Sequence, residues 1–156
     1  MQLTLLSIGR RGPRWQQDAC AEYALRLPAE IKLHSQELVP ARRSSSEPRD
    51  QVRRAEARKI RAALRESQHV ILLDETGATV STRQLARHLR RWIDSGTDVA
   101  LVIGGPDGLD PSLRKAAAEC WSLSALTLPH GLVRLLVLEQ IYRAWTILSN
   151  HPYHRD

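Results

Sequence analysis

At 156 residues the chain has the length of one domain, and 42% hydrophobic with 26% charged residues is the balance of a folded globular protein. No apolar run approaches the ~20 residues of a membrane span, and the first residues lack the basic, apolar and small-residue pattern of an export signal, so a cytoplasmic protein with no membrane contact is expected. The net charge of +6, carried by 20 Arg and 3 Lys against 17 acidic residues, points to a polyanionic partner, with nucleic acid first.

Leu3 to Ile8 reads as a strand and Gly9 to Pro13 as a turn carrying Arg10 and Arg11, with Arg14 just beyond. Trp15, Ala19, Tyr23 and Leu27 recur every four residues, which predicts a helix over 15–27 that Pro28 ends. A second strand is expected from Ile31 to about Val39, then a loop over 40–48 and an Arg- and Ala-rich helix over 49–65, whose basic face reads as solvated. His69 to Leu73 is a continuous apolar run, as in a buried parallel strand, and Asp74 to Gly77 reads as the start of a loop. Ser81 with Gln84 forms a capping box, and the helix it opens carries Leu85, Leu89 and Trp92 and stops at Gly96.

A second buried strand follows over 99–103 and feeds Gly104-Gly105-Pro106-Asp107-Gly108. Asp110 and Pro111 start a helix expected to reach Cys120. Residues 121–128 read as a strand broken by Pro129, and 131–149 as a long helix, apolar on more than one side and so in need of two partners, one of which a second subunit could supply. Apolar strands alternating with helices predict a single-domain α/β fold, a mostly parallel sheet with helices on both faces. Cys20 and Cys120 form no CxxC pair and read as reduced packing residues.

Three segments carry chemistry. The three glycines of 104–108, between a buried strand and a helix, let backbone amides approach a ligand, at the place where open parallel sheets bind one. The spacing is neither GxGxxG nor a phosphate loop with its Lys. In 121–128, leucine backbone groups can hydrogen-bond an adenine while their side chains sandwich it. The end of the chain, His151-Pro152-Tyr153-His154-Arg155-Asp156, gathers two imidazoles, a phenol and a guanidinium where chain ends are usually bland. His34, His69 and His88 lie within elements and read as packing or surface groups. His130, His151 and His154 lie at element ends, where a ring of ordinary pKa near ~6.5 can take a proton. No histidine spacing indicates a metal.

Four strings, 101–109 (LVIGGPDGL), 121–130 (WSLSALTLPH), 138–145 (LEQIYRAW) and 150–155 (NHPYHR), together resemble the RlmH family of large-subunit rRNA pseudouridine N3-methyltransferases, in the SPOUT superfamily. The resemblance spans the chain and is weakest over 40–66. It implies a deep trefoil knot over roughly 70–156 and a homodimer acting on 23S rRNA, with the assembled ribosome as the expected substrate. It implies S-adenosylmethionine (SAM), and no metal, held at Leu73, Gly104 and Leu123, Ser124, Ala125, Leu126, Thr127 and Leu128. It also implies catalytic roles for Tyr153, His154 and Arg155, reaching the partner subunit's cofactor.

The chemistry required is removal of the N3 proton, with His154 as base and His130 behind it, Arg155 supporting the charge and Tyr153 positioning. A non-catalytic ribosome-binding factor is the alternative, and calorimetry with SAM separates the two. A nucleotide-dependent enzyme is disfavoured by the missing phosphate-loop Lys and ribose-binding acid.

Overall fold

The computed structural model describes residues 1–42 and 48–154; part of the loop expected over 40–48, and the position of Arg155, lie outside the described residues. Five strands, β1 (Gln2–Ile8), β2 (Lys32–Leu38), β3 (His69–Thr79), β4 (Val99–Ile103) and β5 (Glu119–Ser122), form one sheet in the order β2-β1-β4-β3-β5. Every pairing is parallel, as the uninterrupted apolar runs require when both faces are covered. Helices α1 (Arg14–Arg26), α3 (Thr82–Ser95) and α5 (His130–Leu148) cover one face, burying Cys20, Leu89, Trp92, Leu138 and Ile141 against Leu3, Leu5, Ile71 and Leu101. On the other face α2 (Arg49–Ala63) and α4 (Pro111–Ala116) bury Ala57, Ile60 and Leu113 against Leu6, Ile8, Leu72 and Val102. No helix among the described residues is long and apolar enough to cross a membrane.

The local signals act where the spacing put them. Ser81 Oγ accepts the Gln84 N–H at 3.2 Å while Gln84 Oε1 accepts the Ser81 N–H at 2.8 Å. Gly96 ends α3 at φ +66°, a left-handed conformation that glycine adopts without strain. Asp110 accepts the Ser112 N–H at 2.9 Å ahead of Pro111. Cys20 is buried, Cys120 is half-buried, and neither is bridged.

Four expectations need correction. β3 does not stop at Leu73: it continues to Thr79 and pairs β5 again after a register shift between Leu73 and Ala78. The helix after Pro111 ends at Ala116 rather than Cys120, and the one after Pro48 at Ala63. The strand expected over 121–128 is Glu119–Ser122, and residues 123–128 are loop. The expected long apolar helix is α5, which packs against α1 and α3 within the chain and leaves Leu136 exposed.

Candidate functional site

β4 ends level with Leu73 of β3, where β3 shifts register before running on beside β5. Leu73 pairs in register with Ile103 on one side and Trp121 on the other, so the ends of β4 and β5 and the register shift of β3 share one edge of the sheet. A cavity of about 360 Å³ lies in that edge, within the range of small-ligand sites. Its floor is Leu73 and Ile103, one wall is Gly104 to Leu109, and the other is Ser122 to Ser124 with Leu126 to Leu128.

Each wall is shaped by its own residues. The glycine loop closes on itself where the Gly108 N–H donates to the Gly105 carbonyl at 2.9 Å, and Gly108 sits at φ +82°. Opposite, Ser122 Oγ donates to the Ser124 carbonyl at 3.0 Å and Ser124 Oγ accepts the Leu126 N–H at 2.9 Å. These hydroxyl bonds turn the chain after Ser122 and compete with a strand ladder. Seven of the eight positions expected to hold a cofactor line the cavity, and Ala125 does not.

His130, the first residue of α5, lines it too. Burial pushes its imidazole below the ordinary histidine value, and its buried Nδ1 has no hydrogen-bond partner among the described residues. Asp74, at the rim, accepts from the Thr76 N–H at 2.9 Å and is paired with Arg114. Burial alone would raise its carboxyl, but the Thr76 and Arg114 hydrogen bonds prevail and hold it below the usual value.

The tail is elsewhere in the same chain. Tyr153 Oη lies 3.2 Å from Tyr23 Oη and donates to Glu139 Oε1 at 3.2 Å. Its ring stands edge-on to Tyr142 with centroids 4.7 Å apart, and the Arg143 guanidinium lies over it. Burial first, then Tyr23 and Glu139, push the phenol pKa upward. Glu139 is nine residues along α5 from His130, or ~13 Å along the axis, and neither Tyr153 nor His154 lines the cavity. The Nδ1 of His154 is buried without a partner among the described residues.

Several lining residues were not singled out in the sequence, among them Arg49, Glu75 and Val133. Arg49 carried a usable signal, since it directly follows Pro48 at the start of a helix.

A parallel α/β sheet with a ligand-sized cavity at its carboxyl edge, walled by glycine backbone and a leucine-rich loop, has the architecture in which open α/β proteins bind small ligands at strand ends. The family model described as "Predicted SPOUT methyltransferase" matches residues 1–154, and the chain belongs to that family. It is similar to the Ribosomal RNA large subunit methyltransferase H of Methylococcus capsulatus, 47% identical over 99% of this chain and 100% of the relative. The proteins of the same name from Ralstonia nicotianae and Methylobacillus flagellatus are 48% and 46% identical, each over at least 99% of both chains.

Proposed function

We propose that the chain methylates N3 of a pseudouridine in 23S ribosomal RNA, acting as a homodimer on the assembled ribosome in the cytoplasm with S-adenosylmethionine as donor. The observation that carries this is the coincidence of the strand-edge cavity with seven of the eight positions expected to hold the donor. The cavity residues fit such a group. The volume suits it, the Leu123 to Leu128 turn offers apolar side chains beside backbone polar groups, and His130 brings an unpaired buried nitrogen to the wall. When bound, SAM supplies a methyl group already activated on a sulfonium sulfur. Leu73, Gly104, Leu123, Ser124 and residues 126–128 hold it, and the knot over 70–156 belongs to this reading.

The chain's own work is on the nucleophile. The imide N3 of pseudouridine is a poor nucleophile until its proton leaves, and a neutral imidazole nitrogen is suited to take that proton. His154 does so, with His130 behind it. Arg155 supports the negative charge spread onto the flanking carbonyl oxygens, and Tyr153 positions the base. Tyr153 packs on its own Tyr23 and Glu139, and in this reading the tail serves the cavity of the second copy.

The RNA grip is carried by the arginines of the same edge. Arg10 and Arg11 are exposed in the turn after β1, and the Arg14 side chain is 93% exposed. Gln16, two residues on, abuts Gly131 in the first turn of α5, beside His130. Guanidinium groups around the mouth suit a phosphate backbone.

The test uses ribosomes from a strain lacking this gene, incubated with the purified chain and SAM, followed by mass spectrometry of the rRNA. One pseudouridine gains a methyl group, and His154→Ala lowers the single-turnover rate ~10²–10⁴-fold. No methyl gain with the wild-type chain contradicts the reading, and a near-normal His154→Ala rate removes that residue as base.

A further inference from the structure

The helix α2 was left without a role by its sequence, yet it carries a buried acid. Glu56 is only 4% exposed, while the helix's other carboxylate, Asp50, is exposed and paired with Arg53. An ionisable group so deep is costly unless its surroundings use it. Two surroundings do. Oε1 accepts the Ala41 N–H at 3.2 Å, in the segment that follows β2 and leads to Arg42. Oε2 lies against the glycine loop: a methyl group on Gly105 would sit 2.6 Å from it and 3.1 Å from Ile8 Cγ2.

Two further contacts tie the same helix to the same two segments. Lys59 Nζ donates to the Val39 carbonyl at 2.6 Å. At the helix start, Arg49 Nε pairs with Asp107 of the glycine loop at 3.6 Å, and the Asp107 side chain is only 7% exposed. Burial first, and the Asp107 charge with it, push the Glu56 carboxyl upward, against the Ala41 hydrogen bond and Lys59.

We infer that Glu56 is a positioning residue: its single carboxyl braces the 104–108 loop from beneath and ties it to the Ala41–Arg42 segment after β2, so that donor binding and the order of that segment are linked. It touches neither donor nor RNA and acts through the backbone of Gly105 and Ala41. The inference rests on the reading above that the cavity holds SAM.

The test is SAM calorimetry, steady-state kinetics and amide exchange on the full chain, for wild type, Glu56→Ala and Glu56→Gln. Alanine leaves the Ala41 N–H without its buried acceptor and the loop without its brace, so Kd for SAM rises about tenfold or more. The loss falls on KM for the donor rather than on kcat. Glutamine keeps the length and the acceptor oxygen and restores Kd to within about threefold. Saturating SAM slows exchange at the Ala41 amide in wild type and Glu56→Gln.

Unchanged affinity in Glu56→Ala, or an Ala41 amide indifferent to SAM in wild type, overturns the inference. If the alanine variant does not fold, the exchange measurement on wild type and Glu56→Gln decides alone. Absence of SAM binding by the wild-type chain overturns the underlying methyltransferase reading, and this inference with it.

Discussion

His130 couples the cavity to solution pH. Burial lowers its pKa from the ordinary 6.5, so between that folded value and 6.5 the unfolded chain binds more protons than the folded one. Stability therefore rises with pH across that window and is level above it. His88 contributes with the same sign, because burial first, with Arg91 and His69 adding, outweighs the pull of Glu119. In urea titrations, wild type loses stability as pH falls below about 6.5, while His130→Gln loses less. Parallel curves for the two proteins would show that His130 does not titrate differently in the fold. The sequence ranked His130 above His34, His69 and His88 by its place at an element end, and it does line the cavity. It could not reveal the unpaired Nδ1 of His130, or that Tyr153 hydrogen-bonds Glu139, because both depend on how helices pack.

Among the elements, β3 and β5 are where local signals and tertiary contacts disagree. Asp74, Glu75, Thr76 and Gly77 have the composition of a turn, yet they are absorbed into β3 as a register shift while the strand continues beside β5. Gly77 makes this possible, since a side-chain carbon there would lie 2.5 Å from the Trp121 backbone. Gly77→Ala is expected to destabilise by about 1–3 kcal/mol through forced displacement of β5, read as a lower urea midpoint with unchanged slope. A midpoint equal to wild type would mean that the close approach is not required.

The opposite error, a strand read over 121–128, arose from alternating serine and leucine. The serine hydroxyls bond their own backbone instead and turn the chain into the cavity wall. Where capping chemistry is self-contained, as at Ser81, Gly96 and Asp110, element starts and stops were legible to the residue.

At the scale of the whole molecule, the parallel sheet was legible because the runs at 69–73 and 99–103 have no polar face. The order β2-β1-β4-β3-β5 was not, since it is set by pairings between residues far apart in sequence. The proposed reading draws the site from two chains, since the cavity lies at one end of α5 and the tail of the same chain is held ~13 Å along that helix.

Mixed dimers test this directly. One variant is Leu126→Arg, at a cavity residue that is 75% exposed and so tolerant of change; the other is His154→Ala. Each homodimer is inactive. In a heterodimer one site draws an intact cavity and an intact tail from different chains, so random reassociation restores about a quarter of wild-type methylation. That recovery is the predicted result; a mixture no more active than its separate components would contradict the shared site.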